Sequence, residues 1–304
     1  MCGIVGYIGK RQAFPIIING LKRLEYRGYD SAGIALLSNT NQLNIYKKKG
    51  KVANLEEAAD GNDISGTGHT RWATHGEAND TNAHPHFNTN GDLAIIHNGI
   101  IENYYSLKTE LQSRGYQFRS ETDTEVLVHL IEEIKKNVEC NLEEAVRLAL
   151  NEVVGAYAIV VISKNEPDKL IVAKLSSPMV VGIGEDELFV ASDGSPLIEH
   201  TKKVSYLEDG QMAILHRDGT LDVRTIKDNK THVHYIDELQ LKLEEIEKGG
   251  FDHFMMKEIH EQPNAIKNSI RGRIDSQQFW VNLGGVREHE ARFRNAHKIT
   301  IVAC

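Results

Sequence analysis

The sequence predicts an α+β fold in which two mainly antiparallel sheets pack together and are covered by helices. Three observations support this prediction. Short apolar strands dominate residues 1–96, two amphipathic helices follow between residues 121 and 150, and a series of short strands fills residues 156–226. Strands at short intervals, separated by Gly, Asp and Asn, are typical of antiparallel sheets. Helices that are grouped apart from such strands are typical of α+β proteins.

The amino-terminal part begins with a predicted strand that leads into a helix. Residues 1–8 are apolar with glycines, as in a buried strand, and residues 13–24 carry apolar side chains at helical spacing. Further strands are predicted at residues 34–37, 43–46 and 93–96.

The middle of the chain contains two helices and then many strands. Thr122 and Glu125 have the spacing of a capping box, which predicts the start of a helix that runs through residue 134. A second helix is predicted from Asn141 to about residue 150. The strands that follow are predicted at residues 156–163, 169–175, 179–183, 187–191, 204–207, 211–215 and 220–226.

The character of the sequence changes after residue 228, where we expect a domain boundary. Residues 236–248 are highly charged, residues 254–270 have helical periodicity, and residues 298–304 have the pattern of an apolar strand. We therefore predict a first domain at residues 2–228, a helical connector at 229–285 and the start of a further α/β domain at 286–304.

Composition and charge limit the possible functions. The net charge of -8 argues against a nucleic-acid surface, which needs a basic face, and favours a small-molecule substrate. The longest apolar run, residues 153–162, is much shorter than a membrane-spanning helix. Cys2, Cys140 and Cys304 are widely separated, which favours neither a disulfide framework nor a zinc site. We expect a cytoplasmic protein without a membrane segment.

Cys2 is the most informative residue of the chain. Removal of the initiator Met1 leaves a thiol and a free α-amine on one residue. A thiol is a strong nucleophile as the thiolate, and an α-amine, with a reference pKa of about 8, can take its proton. Cys2 is therefore a candidate amino-terminal nucleophile. Taken alone, it could also be a small cysteine packed in an apolar strand.

Four polar segments accompany the apolar strands. They are residues 26–33 (YRGYDSAG), 69–76 (HTRWATHG), 97–103 (HNGIIEN) and 121–125 (ETDTE). With the opening Met1-Cys2-Gly3-Ile4, they resemble the class II glutamine amidotransferases. The resemblance is dense over residues 1–225 and continues through residues 257–263 (KEIHEQP). It implies the αββα sandwich of the amino-terminal nucleophile hydrolases, and hydrolysis of glutamine to glutamate and ammonia without a cofactor.

The resemblance also implies catalytic roles. Cys2 would be the nucleophile, with its own α-amine as the general base, and Asn98 and the backbone N–H of Gly99 would form the oxyanion hole. Taken on its own, the Asn98-Gly99 dipeptide favours a simple turn. We expect Arg27 and Asp30 to brace the nucleophile strand rather than to act in catalysis.

The substrate-binding residues follow from the same resemblance. Arg71 would clamp the α-carboxylate of glutamine, and Asp123 would accept its α-ammonium group. Trp72, Thr74 and His75 would lie on a loop that closes over glutamine. The alternatives are a solvated arginine, an aspartate that offsets a helix dipole and, for Thr74 and His75, residues that only shape the loop.

Five histidines occur within a short stretch of the chain. We do not expect them to bind a metal, because no cysteine or paired carboxylate joins them at ligand spacing and the family's hydrolysis needs no metal. They are His69, His75, His84, His86 and His97.

Within the family, the resemblance is nearest to members that pass ammonia to two sugar-isomerase lobes, where it reacts with fructose 6-phosphate. It implies that residues 286–304 begin the first lobe and that the chain is a fragment, able to split glutamine but not to make the amino sugar. It also implies a homodimer for the complete enzyme. Two alternatives remain: another class II amidotransferase or amidohydrolase of the same fold, and a regulatory protein that has lost activity.

Overall fold

The protein is described by a computed structural model that covers residues 2–59, 63–73, 76–239, 250–270, 274–275, 280–281, 290–298 and 300. The chain divides into two units, Met1–Ile246 and Glu247–Cys304. The strands of the first unit are β1 (Gly3–Ile8), β2 (Ser31–Ser38), β3 (Leu43–Lys49), β4 (Asp63–Arg71), β5 (His86–Phe87), β6 (Leu93–Ile101), β7 (Gly155–Ser163), β8 (Lys169–Leu175), β9 (Val180–Ile183), β10 (Leu188–Ala191), β11 (Lys203–Tyr206), β12 (Gln211–His216), β13 (Leu221–Thr225) and β14 (Asp237–Glu238).

These strands form two sheets. The first has the spatial order β14-β11-β9-β10-β1-β4-β2-β3, and the second has the order β13-β12-β8-β7-β6-β5. Each neighbouring pair is antiparallel. The helices of this unit are α1 (Ala13–Leu24), α2 (Val52–Ala58), α3 (Tyr104–Ser113), α4 (Thr124–Asn137) and α5 (Leu142–Asn151), with a short 3-10 helix at Glu25–Arg27.

The hydrophobic core lies in three layers. An inner layer joins β1 and β2 of the first sheet to β6, β7 and β8 of the second, with Ile4 and Val160 among its fully buried members. An outer layer packs α1 and α2 against the first sheet, and another packs α4 and α5 against the second. The order of layers is therefore αββα, and the predicted α+β sandwich of two antiparallel sheets is confirmed.

Strand alternation brings Cys2 and Asn98 to the same layer. Successive side chains of a strand point to opposite faces. In β1, Ile4 and Ile8 belong to the inner layer, and Cys2 lies two residues before Ile4 on the same face. In β6, Ile96 belongs to the inner layer and Asn98 follows it by two residues. The two sheets thus carry these side chains towards each other.

Strand β4 is central in the first sheet but was not predicted as a strand. Its middle is polar and glycine-rich, so it shows no apolar alternation. The glycines are needed because α1 packs closely here. A Cβ at Gly68 would lie 2.5 Å from Ile17 Cγ2, and a Cβ at Gly66 would lie 2.9 Å from Ile17 Cδ1. Because close packing against α1 requires glycine, the sequence of β4 lacks the alternating apolar pattern that predicts a strand. Helices α2 and α3 were also missed.

The second unit contains α6 (Phe254–Ile270), β15 (Ile274–Asp275), β16 (Trp280–Val281) and α7 (Glu290–Arg294), and β15 pairs with β16. The predicted helix at residues 254–270 is confirmed. The strand predicted at residues 298–304 lies almost wholly outside the described residues. Over the described parts of both units, no helix is both long enough and apolar enough to cross a bilayer.

Candidate active site

A cavity of about 390 Å³ opens beside the start of β1. It is lined by Cys2, Arg27, Arg71, Trp72, His84, His97, Asn98, Gly99, Thr122, Asp123, Thr124, Ser177 and Pro178. Six of the eight candidate site residues from the sequence line this cavity. The other two, Thr74 and His75, lie outside the described residues. Ser177 and Pro178 were not singled out, because a Ser-Pro dipeptide between two strands has the pattern of an ordinary loop.

The thiol of Cys2 is held by the backbone of Trp72. The N–H of Trp72 donates to Cys2 Sγ over 3.2 Å, and Sγ lies 3.6 Å from the carbonyl oxygen of Trp72. Burial raises the pKa of the Cys2 thiol, and the hydrogen bond from the Trp72 N–H lowers it only in part. A neutral thiol therefore predominates at neutral pH, so a nucleophilic Cys2 requires a base.

Asn98 and Gly99 lie within β6, so the interpretation of this pair as a turn is wrong. Asn98 Nδ2 donates to the carbonyl oxygen of Cys2 over 3.3 Å, which brings the amide directly against the candidate nucleophile. Gly99 has a φ of 136°, and a Cβ there would lie 2.0 Å from the carbonyl oxygen of Ala156. Only glycine fits this position of the strand.

Arg71 ends β4 and is almost fully buried. Its Nη1 donates to the carbonyl oxygen of Glu77 over 3.2 Å, and its Nη2 donates to that of Gly76 over 3.3 Å. Nη1 also lies 4.0 Å from Asp30 Oδ1. The alternative of a solvated surface arginine is therefore wrong. The guanidinium group presents a cation at the cavity wall while it anchors the backbone at residues 76–77.

Asp123 is buried at the start of α4, where its Oδ2 accepts from the backbone N–H of Ile101 over 2.7 Å. The capping box predicted from Thr122 and Glu125 is absent. Asp123 is the N-cap residue and makes no capping bond, and Glu125 instead accepts from the N–H groups of Arg119 and Ser120. Thr122 has a different partner, because its hydroxyl lies 2.9 Å from His86 Nε2.

Arg27 and Asp30 brace two different parts of the site. Arg27 Nη1 donates to Ser192 Oγ over 3.1 Å, and the same oxygen accepts from the N–H of Ile4 in the nucleophile strand. Asp30 Oδ2 accepts from the N–H of Ala73, directly after Trp72. Ser192 was missed because nothing in its local sequence links it to the residues around Cys2.

Trp72 is half exposed at the mouth of the cavity and rests on Gly28. A Cβ at Gly28 would lie 2.9 Å from Trp72 Cζ3, and its φ of 86° also favours glycine. Gly28 belongs to the YRGYDSAG segment, but contact with a tryptophan far along the chain leaves no local signal in the sequence. The position of the Trp72 ring therefore depends on the absence of a side chain at Gly28.

Four buried histidines line or underlie the cavity and are bound to hydroxyl and amide groups. His84 Nε2 and His97 Nδ1 lie 3.0 and 2.9 Å from Thr124 Oγ1, and His69 Nε2 lies 2.9 Å from Asn98 Oδ1. Among the described residues, no three His, Cys, Asp or Glu side chains are grouped as metal ligands. The histidines thus form a polar network beneath the cavity.

This network predicts loss of stability at acid pH. Burial lowers the pKa of all four histidines, to about 3 for His69. Because the unfolded chain binds these protons near pH 6.5, the stabilisation is present above that pH and is lost as the pH falls towards the folded-state values. His69 alone accounts for about 2 kcal/mol of the free energy of unfolding between pH 7 and pH 5. Urea unfolding at both pH values measures the loss.

His129 provides an internal check on this prediction. Burial alone would lower its pKa, but the flanking carboxylates of Glu125 and Glu132 raise it, so its stabilisation is present at acid pH and is lost on alkalinisation. A His129→Leu variant should therefore lose stability more steeply between pH 7 and pH 5 than the wild type. Equal free energies of unfolding at pH 5 and pH 7 in the wild type contradict the prediction.

Comparison with known families connects this geometry to a class of proteins. The family profile described as glutamine amidotransferase domain matches residues 59–241, which is more than half of the chain. The chain belongs to this family. The matched range contains β4 to β14 with Arg71, Asn98, Gly99 and Asp123, and the expected family of glutamine amidotransferases is confirmed.

Several curated relatives share the name glutamine--fructose-6-phosphate aminotransferase [isomerizing]. The protein from Bacteroides thetaiotaomicron is 55% identical over 307 residues, covering 100% of this chain and 50% of the relative. Those from Chlorobaculum tepidum and Thermococcus kodakarensis are 53% and 50% identical, covering 100% and 90% of this chain. The chain spans about half the length of these relatives. It covers 50% of the Chlorobaculum tepidum protein and 45% of the Thermococcus kodakarensis protein.

Solved structures give the same fold. The glutamine phosphoribosylpyrophosphate amidotransferase from B. subtilis, complexed with ADP and GMP, aligns with a TM-score of 0.64 at 28% identity. The alignment covers 75% of this chain and 50% of that one. The predicted amino-terminal nucleophile type of αββα sandwich is thereby confirmed for this glutamine amidotransferase domain.

Proposed function

We propose that this chain hydrolyses glutamine to glutamate and ammonia, with Cys2 as the nucleophile. The observation that carries the proposal is the convergence of Cys2, Asn98 and Gly99 on one cavity, although they come from opposite sheets. A sulfur nucleophile beside amide donors is suited to acyl transfer. Family membership supports glutamine as the source of the acyl group.

The proposed reaction has an acylation step and a hydrolysis step. After removal of Met1, the α-amine of Cys2 takes the thiol proton through a water, and the sulfur attacks the side-chain carbonyl carbon of glutamine. Asn98 Nδ2 and the N–H of Gly99 stabilise the oxyanion, and a donor of this kind contributes roughly 2.7 to 4 kcal/mol to lowering the barrier. The C–N bond breaks, the proton leaves with ammonia, and water hydrolyses the γ-glutamyl thioester to glutamate.

The α-carbon groups of glutamine bind beside the nucleophile in this proposal. Arg71 receives the α-carboxylate, for which a planar fork of donors is suited, and Asp123 receives the α-ammonium group through the oxygen that does not bind Ile101. Trp72, together with Thr74 and His75, covers the bound substrate. Closure of this kind protects the thioester from unproductive reactions.

Intact-mass analysis with a glutamine-analogue diazo-ketone tests the proposal. We expect one adduct, on a chain that lacks Met1, with the modified peptide mapping to Cys2. Ammonia release should be seen with glutamine and not with asparagine. A chain that gives no adduct and releases no ammonia from glutamine rejects the proposal.

Arg71→Lys should raise the KM for glutamine more than it lowers kcat. Lysine keeps the positive charge but loses the paired donors that bind a carboxylate and hold the carbonyl oxygens of Gly76 and Glu77. Loss of one charge-assisted bond predicts a roughly tenfold to hundredfold increase in KM. Steady-state ammonia release measures both constants. Arg114→Lys, on the exposed surface, is the matched control and should leave them unchanged.

We propose further that the ammonia serves an amino-sugar synthesis in a longer enzyme. The name of the relatives supports fructose 6-phosphate as the acceptor of the ammonia, and we propose glucosamine 6-phosphate as the product. In that enzyme, residues 2–228 are the amidotransferase domain, 229–285 the connector and 286–304 the start of a sugar-isomerase domain. A homodimer in the cytoplasm is part of the same proposal. The test combines this chain and glutamine with a sugar-isomerase partner and fructose 6-phosphate. Formation of glucosamine 6-phosphate is the readout.

A further inference from the structure

His69 contacts the candidate oxyanion donor from beneath the cavity. It lies in β4 opposite Ile4 of β1, on the face that points to the inner layer, and its Nε2 lies 2.9 Å from Asn98 Oδ1. His69 is fully buried and Asn98 is 9% exposed. The contact therefore joins the two sheets through a hydrogen bond that water does not weaken.

The chemistry around Asn98 determines which way its amide points. A side-chain amide can place either its oxygen or its NH2 group in a given direction. On one side of Asn98 lies the carbonyl oxygen of Cys2, at 3.3 Å from Nδ2, and a carbonyl oxygen can only accept. The NH2 group must face Cys2, so the oxygen must face His69. A buried amide oxygen needs a donor, and His69 supplies one only if Nε2 carries the hydrogen.

The protonation state of His69 is consistent with this assignment. Burial lowers the pKa of His69 to about 3, so its ring is neutral at neutral pH and carries a single hydrogen. A neutral ring with its hydrogen on Nε2 satisfies Asn98 Oδ1 and places no charge beneath the oxyanion hole. The second hydrogen of Asn98 Nδ2 is then directed away from His69.

We propose that His69 is a positioning residue, which donates from Nε2 to Asn98 Oδ1 and thereby holds the Asn98 NH2 group towards Cys2 and the developing oxyanion. The inference rests on the proposed glutamine hydrolysis. His69 does not contact the substrate in this role. Its removal leaves the amide free to rotate, so the NH2 group points correctly for only part of the time. The effect should therefore fall on kcat rather than on glutamine binding.

Two substitutions separate donation from packing. Leucine at position 69 (H69L) fills part of the space without a donor, whereas glutamine (H69Q) places an NH2 donor close to the position of His Nε2. For H69L we expect kcat to fall by about tenfold to a hundredfold, less than the loss of a whole oxyanion donor, with KM within about twofold of the wild type. H69Q should recover most of the lost kcat. Thermal unfolding confirms that both variants are folded.

Alkylation of Cys2 by iodoacetamide distinguishes positioning of Asn98 from a purely structural role of His69. A purely structural role predicts that the substitution slows alkylation as well as hydrolysis. This displacement at a saturated carbon forms no oxyanion, so H69L should be alkylated at the wild-type rate. If H69L does not fold, H69Q and H69N replace it, because the shorter asparagine cannot reach Asn98 with its donor. We then expect high kcat for H69Q and low kcat for H69N.

Three outcomes overturn the inference. The first is a wild-type kcat in H69L, the second is a kcat in H69Q no higher than that of H69L or H69N, and the third is a fall of alkylation and hydrolysis by the same factor. A wild-type chain that is alkylated but releases no ammonia from glutamine overturns the proposed function and this inference with it. If the wild type hydrolyses glutamine and the substitutions at position 69 leave kcat unchanged, only this inference is overturned and the proposed function stands.

Discussion

Replacing Cys2 with alanine should abolish ammonia release from glutamine, with kcat falling by on the order of 10⁴ or more. The substitution removes the sulfur that forms the thioester, and none of the other groups that line the cavity in the described residues is a thiol. Cys2 precedes β1, and its Sγ has the backbone of Trp72 as its hydrogen-bonding partner. The variant should therefore fold. Coupled detection of glutamate and ammonia measures the loss.

The matched control is Cys140→Ala. Cys140 is the other described free cysteine, it is only partly buried, and it packs against the layer between the second sheet and its helices, away from the cavity. We expect this variant to keep wild-type kcat and KM. Mass analysis must also find the active chain without Met1, because the raised pKa of Cys2 makes a base necessary. Full activity in Cys2→Ala, or in a chain that retains Met1, rejects the role of Cys2.

The sequence predicted those elements of the fold that carry a regular apolar pattern. Helix α1 has the predicted bounds, and the strands from β7 to β13 lie within one or two residues of their predicted positions. The prediction failed where tertiary packing sets the residue type. Gly66 and Gly68 in β4 are required by the approach of Ile17, so a central strand has the composition of a loop.

The candidate site shows the same limit. Single residues with distinctive chemistry, such as Cys2 and Arg71, could be named from the sequence and its family resemblance. Partnerships between distant parts of the chain could not be named, because no local pattern links His69 to Asn98 or Ser192 to Ile4. The register of β10 on β1 brings Ser192 to Ile4, and the packing of the two sheets brings His69 to Asn98.

Gly99→Ala should be strongly destabilising, by more than about 4 kcal/mol in the free energy of unfolding. The added Cβ would lie 2.0 Å from the carbonyl oxygen of Ala156 and 2.7 Å from its carbonyl carbon, and these backbone atoms cannot move as a flexible side chain can. The φ of 136° adds strain for any residue with a Cβ. Relief requires β6 to separate from β7, which breaks a pair of strands in the middle of the second sheet. Urea unfolding of the folded fraction measures the change.

Gly91→Ala separates steric conflict from backbone strain. Gly91 also has a positive φ, 65°, but a Cβ there would have nothing within 4 Å. Its cost should be about 1 to 2 kcal/mol, the ordinary penalty for a left-handed non-glycine residue. The difference between the two variants then measures the clash with Ala156. Equal destabilisation contradicts the argument that β7 excludes a side chain at position 99. Because the N–H of Gly99 is a proposed oxyanion donor, any folded Gly99→Ala chain should also lose kcat by about a hundredfold or more.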